Sequence, residues 1–184
     1  MFDKERFIED CRAALKERNA QAAIQELVTK AVSDPAALLK VIGEPTRAGV
    51  ETYYKSDDLT ILNLCWGPQM VFKPHDHRMW AVIGVYAGRE DNIFWRRIKD
   101  ETGGRIEAAG ARALGEGDCW PLGPDIIHSV TNPAPRCAGA LHIYGGDFFA
   151  QERSEWDPDT LLEKPYSSAK TIRMFEDANR RIVD

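Results

Sequence analysis

Hydrophobic positions in the first 45 residues recur with the period of an α-helix. The first set of such positions comprises Phe7, Ile8, Cys11 and Leu15. The second set comprises Ile24, Leu27, Val28, Ala31 and Val32. Asn19 precedes the second set and is a good helix cap, while Pro35 suits the first turn of a third short helix over 36–42. The pattern therefore predicts a helical N-terminal segment.

From about residue 50 the pattern changes to short β-type runs separated by Gly- and Pro-containing turns. The main runs are residues 59–66, 81–86, 92–98 and 140–144. Many short strands at spacings of about ten residues are typical of an antiparallel sandwich or barrel. A last run, residues 167–183, returns to helical spacing behind a serine cap. We predict a single, mainly β domain over residues 1–184. It consists of a helical N-terminal segment over 1–45, a β-barrel over 50–150, and a C-terminal extension with a helix over 151–184.

Composition excludes several classes of function. The chain has 184 residues, with 24 basic against 29 acidic side chains and a net charge of −5, and it lacks a basic stripe. We therefore expect no nucleic-acid or membrane partner. The charged N-terminus predicts no signal peptide, and four cysteines without a CxxC pair indicate reduced thiols in the cytoplasm. The oligomeric state is left open.

The four histidines carry the candidate chemistry. His75 and His77 form an H-x-H pair, and residues two apart on a strand point to the same face. His128 lies in another short β run and is the candidate third ligand. Neutral imidazoles with open coordination positions suit Fe, Zn, Cu or Ni, so the ligand type does not name the metal. Spacing alone leaves open a hydrogen-bonded or surface pair.

The residues around these histidines resemble the two sequence motifs of cupins. The matching positions are Gly67, Gly88, Pro121, Gly123 and Asn132. The spacers that lead to His75 and to His128 are each two residues longer than in the motifs. The resemblance implies a cupin double-stranded β-helix, that is, a jelly-roll barrel, with N-terminal helices and a C-terminal helix.

The carboxylate ligand of ordinary cupins is missing. It would follow the H-x-H pair by three or four residues, but residues 78–82 are Arg, Met, Trp, Ala and Val. Glu90 lies beyond the turn at Gly88, and we do not expect it to be a ligand. A site of three neutral histidines leaves a divalent ion its full charge until an anionic substrate, such as a thiolate, coordinates.

In this respect the chain is similar to the cysteine dioxygenase family of thiol dioxygenases, over about residues 50–150. The matching segments are residues 64–67, 75–77, 125–132 and 141–144. The resemblance implies that His75, His77 and His128 bind Fe(II), and that Tyr144 presents its hydroxyl near the metal, held by His142. It implies oxidation of a small thiol, such as L-cysteine or 3-mercaptopropionate, to its sulfinic acid with O2.

Three positions depart from that family. The serine that precedes the His-x-Tyr pair is replaced by Ala140, and the cysteine that is cross-linked to the tyrosine in mammalian-type enzymes is replaced by Val82. The arginine that holds the substrate carboxylate has no clear match, and Lys55 is the nearest analogue. Arg96 and Arg97 are further basic candidates on a strand.

Two other predictions remain open at this point. Trp66 and Trp80 flank the histidines, and core packing is the commoner use of such aromatic residues. Either could instead form a wall of the substrate pocket, and Trp66 is our candidate for that role. The departures from the family also keep two other functions in view. One is a cupin metalloenzyme with a different oxygenase activity, and the other is a non-catalytic cupin that binds a metal or a small molecule.

Overall fold

The computed structural model describes residues 2–99 and 101–183. Three helices precede the strands and one follows them: α1 (Lys4–Ala14), α2 (Ala20–Val32), α3 (Pro35–Ile42) and α4 (Ser168–Val183). The side chains of Asp3, Asn19 and Asp34 each accept a hydrogen bond from a backbone N–H of the first turn that follows. Within the described residues, no helix is long and apolar enough to cross a membrane.

Eleven strands form two antiparallel sheets. Their bounds are β1 (Gly49–Lys55), β2 (Thr60–Trp66), β3 (Val71–Asp76), β4 (Ala81–Ala87), β5 (Arg89–Arg97), β6 (Ile106–Gly115), β7 (Cys119–Leu122), β8 (Ile127–Thr131), β9 (Ala138–Tyr144), β10 (Ser154–Trp156) and β11 (Glu163–Pro165). The first sheet has the order β1-β2-β9-β4-β7, and the second has the order β11-β10-β3-β8-β5-β6. The mainly β jelly-roll class predicted from the sequence is confirmed.

One face of the first sheet packs toward the second sheet, and its other face packs under the N-terminal helices. Leu62 and Ile83 belong to the hydrophobic cluster shared with the second sheet, whereas Ile61 and Val82 belong to the cluster under the helices. Because both faces are covered, β4 is buried at every position and its sequence is continuously apolar. Helix α4 adds Phe175 to the inter-sheet cluster.

The second sheet extends further than the sequence indicated. The strands β10 and β11 lie in the segment predicted to be a C-terminal extension, and both belong to this sheet. Each has only three residues, which is too short to show an alternating pattern. The edge strand β6 was also missed, because it is rich in Ala and Gly and largely exposed.

Replacing Gly84 of β4 by alanine is expected to destabilise the fold by about 1–3 kcal/mol through overpacking. A Cβ atom there would overlap Val28 and lie 2.9 Å from a methyl of Val32, both of which are buried in α2. Urea denaturation measures the change. The matched control is Gly49→Ala, where a Cβ meets no atom within 4 Å, so the free energy of unfolding should change by less than about 0.5 kcal/mol. Equal stability of the two variants would contradict this packing argument.

Candidate metal centre

The three histidines are brought together by two neighbouring strands of the second sheet. His75 of β3 is the direct cross-strand partner of His128 of β8, and His77 follows His75 by two residues. The Nε2 atom of His77 lies 3.1 Å from that of His75 and 3.2 Å from that of His128. All three side chains are buried, and their candidate ligand atoms lie within 4.8 Å of one another. The structure thus assembles the predicted ligand set.

A β-bulge in β3 gives the histidine pair its orientation. Phe72 pairs with Val130 and His75 pairs with His128, so two residues of β3, 73 and 74, lie opposite one residue of β8, 129. In a regular strand, Phe72 and His75 would point to opposite faces. Because of the extra residue, Phe72 and both histidines line the same cavity.

The outer hydrogen bonds of His75 and His128 determine which nitrogen of each ring keeps a lone pair. The Nδ1 atom of His75 lies 3.0 Å from the carbonyl oxygen of Lys73, and Nδ1 of His128 lies 2.7 Å from the amide oxygen of Asn92. Carbonyl oxygens only accept, so each Nδ1 carries the hydrogen and each Nε2 keeps a lone pair. Both of these lone pairs are directed toward Nε2 of His77, and outer hydrogen bonds of this kind orient the histidine ligands of metal sites. The donor set therefore fits a metal ion.

Burial keeps the three rings neutral. It lowers the pKa of His75 and of His77 well below the ordinary value, and the neighbouring His128 lowers both further. Burial also lowers the pKa of His128, to about 4. Neutral imidazole is the form that binds a metal. In the described part of the chain, the group of candidate ligands consists of histidines alone, and Glu90 is not among them.

The histidines line a small and mainly apolar cavity between the sheets and α4, with a volume of about 50 Å³. A water needs roughly 10–15 Å³ by this measure, so the cavity holds only a few non-hydrogen atoms. Trp66 is among its walls, and it also packs in the inter-sheet cluster. The other large apolar side chains of the wall are Phe72, Phe148, Tyr166 and Phe175.

Tyr144 and His142 line the same cavity and contact each other, with 3.1 Å between the tyrosine hydroxyl and Nδ1 of His142. The two residues are two apart on β9 and share a face, as the sequence indicated. Burial raises the pKa of Tyr144, so its phenol stays protonated at neutral pH. The Tyr144 ring also packs edge-on against His77, with 5.0 Å between the ring centroids. The hydroxyl is therefore in the neighbourhood of the three histidines.

Two polar residues of β5 were missed as parts of the site. Glu90 accepts a hydrogen bond from Nε2 of His142 at 3.0 Å, and Asn92 holds His128. The predicted strand began only at residue 92, so Glu90 lay outside it, between the turn at Gly88 and the strand. The alternation of Glu90 and Asn92 directly after Gly88 would have indicated an earlier start of the strand, although not the partners of these residues. In the structure, Gly88 has a φ of 73° and ends the turn.

The structure does not bring Lys55 to the cavity. Its ammonium forms an ion pair of 3.0 Å with Asp147, and 46% of its side chain is exposed. Arg96 and Arg97 are likewise engaged elsewhere, by Glu107 and by Glu163. None of the three lines the cavity.

Arg153 does not line the cavity itself, but it packs against two of the cavity walls. Its guanidinium lies between the rings of Phe148 and Tyr166, 3.8 and 4.0 Å from their centroids, and both rings are cavity walls. Its Nη1 atom is buried and has no hydrogen-bond partner among the described residues. On its other side, Arg153 lines an outer groove that also contains Arg78 and Lys164. A buried, unpaired donor of this kind can bind an anion.

The comparisons with known proteins concern the fold. No family model matches the chain. Oxalate decarboxylase from Bacillus subtilis is similar over 52% of this chain, with 20% identity and a TM-score of 0.41, and the match covers only 23% of that protein. BH2720 from Bacillus halodurans is similar over 55% of this chain and 72% of its own, with 15% identity and a TM-score of 0.46. The two antiparallel sheets around the histidines form a jelly-roll fold.

Proposed function

We propose that the protein is an iron(II)-dependent thiol dioxygenase that oxidises a small thiol, such as L-cysteine or 3-mercaptopropionate, to its sulfinic acid. The observation that carries the proposal is the set of three neutral histidines in one cavity with the hydroxyl of Tyr144. The resemblance to the cysteine dioxygenase family supports it. The proposal includes a cytoplasmic location and small-molecule partners only, namely the thiol and O2.

His75, His77 and His128 would hold the metal. A free thiol has a pKa near ~8.5 and is mostly protonated at neutral pH. Iron(II) in this position would supply deprotonation of the coordinating thiol and electrons for the activation of dioxygen. In the net reaction, R–SH and O2 combine to R–SO2H with both oxygen atoms on sulfur. The sulfur loses as many electrons as dioxygen gains, so no outside reductant is required.

Tyr144 and Arg153 would orient the substrate. The Tyr144 hydroxyl contacts His142, and the Tyr144 ring packs against His77. When substrate and dioxygen are present, the hydroxyl hydrogen would turn from His142 to the oxygen atoms that are transferred to sulfur. Arg153 offers a guanidinium that is always charged and can bind a carboxylate with two parallel hydrogen bonds. The small cavity limits the substrate to a short thiol. Together these residues favour a thiol that carries a carboxylate.

Oxygen uptake with a panel of thiols tests this function. The chain is loaded anaerobically with iron(II), its iron content is measured, and L-cysteine, 3-mercaptopropionate and cysteamine are added separately with O2. We expect uptake of one O2 per thiol with a carboxylated thiol and formation of its sulfinic acid, identified by mass spectrometry. Cysteamine, which has no carboxylate, should react more slowly. No uptake with any thiol at full iron occupancy would contradict the proposal and favour another oxygenase activity or a binding function.

A further inference from the structure

Glu90 is a completely buried carboxylate that the proposed chemistry does not use. An ionised carboxylate can be buried only if hydrogen bonds replace its water. Glu90 receives three such bonds from side chains, from Trp66 Nε1 at 2.7 Å, from His142 Nε2 at 3.0 Å and from Asn92 Nδ2 at 3.2 Å. Burial alone would raise the pKa of Glu90, but the contacts with His142, Trp66 and Asn92 lower it below its ordinary value. Glu90 is therefore an acceptor at both of its oxygens.

The first branch of this network leads to Tyr144. Because an ionised carboxylate cannot donate, the hydrogen between Glu90 and His142 belongs to Nε2 of the ring. When that ring carries a single hydrogen, its Nδ1 atom has a lone pair and accepts the hydroxyl hydrogen of Tyr144, 3.1 Å away. The direction of the hydrogen bond between Tyr144 and His142 thus depends on the charge of Glu90.

The second branch leads to a candidate metal ligand. Glu90 Oε1 accepts from the amide nitrogen of Asn92, which fixes the orientation of that amide. The amide oxygen of Asn92 then faces Nδ1 of His128 at 2.7 Å and holds its hydrogen there. As a result, Nε2 of His128 keeps a lone pair toward the other two histidines.

We propose that Glu90 is the positioning residue of the site, which sets the direction of the hydrogen bonds to both Tyr144 and His128. This inference rests on the proposed function for its kinetic consequences, but not for its structural ones. The strand position where the sequence comparison expects a serine is Ala140, which has no hydroxyl to offer His142. Glu90 reaches His142 from the other sheet and supplies an acceptor instead.

A glutamine at position 90 cannot accept hydrogen bonds from both His142 and Asn92, because its side-chain amide has one oxygen and one NH2 group. If the oxygen of Gln faces His142, its NH2 group faces the NH2 group of Asn92, which must turn and present a donor to His128. If the NH2 group of Gln faces His142 instead, the hydrogen of that ring must move from Nε2 to Nδ1. The variant Glu90→Gln therefore changes the tautomer of one of the two rings, although it keeps the shape of the side chain.

The first test is the tautomeric state of the histidine rings, measured by ¹⁵N NMR on the full chain with and without zinc(II), a diamagnetic ion. In the wild type, we expect hydrogen on Nε2 of His142 and on Nδ1 of His128. In Glu90→Gln, one of these assignments should reverse. Hydrogen on Nδ1 of His142 in the wild type, or unchanged tautomers in the variant, would overturn the proposal. The wild-type spectrum decides even if the variant does not fold.

The second test is a double-mutant cycle with Tyr144→Phe at saturating iron, with a thiol that the wild type oxidises. Glu90→Gln should lower kcat by about 10- to 100-fold, the usual cost of losing an outer hydrogen bond of a metal site. If the NMR test places the reversal at His142, Glu90 acts through Tyr144, and the same change in the Tyr144→Phe background should cost less than about twofold more. If it places the reversal at His128, the loss should persist in that background. A full additional loss in that background, together with an unchanged tautomer of His128, would show that Glu90 acts through neither ring, and would overturn the proposal.

The matched control is Tyr86→Phe. The hydroxyl of Tyr86 is also buried and donates to Asn63 at 2.7 Å, but it belongs to the cluster under the N-terminal helices. This variant should lower the melting temperature without a change in the histidine tautomers or in kcat. If Glu90→Gln behaves like Tyr86→Phe, the carboxylate is only structural. If the wild type binds zinc and shows the expected tautomers but oxidises no thiol, the proposed function fails and the role of Glu90 as a positioning residue remains.

Discussion

Replacement of His77 by alanine is expected to abolish metal binding and thiol oxidation together. His77 is the common neighbour in the cluster, because its Nε2 atom lies within 3.2 Å of those of both other histidines. Loss of an outer hydrogen-bond partner typically costs a metal site about 10- to 100-fold in affinity, so loss of a ligand should cost more than about 100-fold. Metal content after anaerobic loading, measured by elemental analysis, should fall from about one ion per chain to near zero.

The thermal transition gives an independent measure of the same loss. A ligand at about 100 times its Kd stabilises a protein by about 2.7 kcal/mol, so the wild type should melt higher when iron(II) or zinc(II) is added. The melting temperature of His77→Ala should not respond to either ion. The matched control is His142→Gln, which changes a histidine of the same cavity outside the ligand cluster and should still bind the metal. Full occupancy in His77→Ala, or loss of metal in His142→Gln, would contradict this assignment of ligands.

Replacement of Arg153 by alanine is expected to raise KM for a carboxylated thiol much more than it lowers kcat. Truncating one partner of a buried, hydrogen-bonded charge pair costs at least about 2 kcal/mol, which is roughly 30-fold in KM. Arg153→Lys should recover only part of the loss, because an ammonium cannot form two parallel hydrogen bonds to a carboxylate. Steady-state kinetics with 3-mercaptopropionate and with cysteamine measure the effect, and the KM for cysteamine should change far less.

The variant Lys55→Ala tests whether Lys55, as predicted from the sequence, or Arg153, as proposed from the structure, binds the substrate carboxylate. Lys55 is half-exposed and paired with Asp147, so its removal should leave KM for both thiols within about twofold of the wild type. If Lys55→Ala raises KM for the carboxylated thiol and Arg153→Ala does not, the prediction from the sequence is correct and the assignment to Arg153 is wrong. Equal effects of Arg153→Ala on both thiols would show that Arg153 does not bind a carboxylate.

The histidines and Tyr144 could be predicted because local periodicity determines where they point. His75 and His77, like His142 and Tyr144, are two residues apart in or beside a strand, and this spacing gives each pair a common face. The helices could be predicted for a similar reason, since their apolar stripe and the capping side chain of Asn19 are both local features. Such features are visible in a few consecutive residues.

Arg153 and Glu90 could not be predicted in this way, because their roles depend on distant segments. Arg153 lies directly before β10, and only the packing of its guanidinium against Phe148 and Tyr166 brings it behind two walls of the cavity. Glu90 belongs to the second sheet, whereas its partner His142 belongs to the first. The pairing of charges across two sheets follows from tertiary structure, and a single sequence carries no local signal for it.

Because of the bulge in β3, the face to which His75 and His77 point depends on the number of residues before the motif, and not only on the types of those residues. The spacer between Gly67 and His75 has seven residues, and one of them is the extra residue between Phe72 and His75. Without it, the alternation of the strand would turn both imidazoles away from Tyr144, although every residue of the H-x-H motif were still present. The count of residues before the motif is therefore part of the information that encodes the site. Two chains with the same H-x-H motif but spacers that differ by one residue would therefore direct their histidines to opposite faces of the sheet.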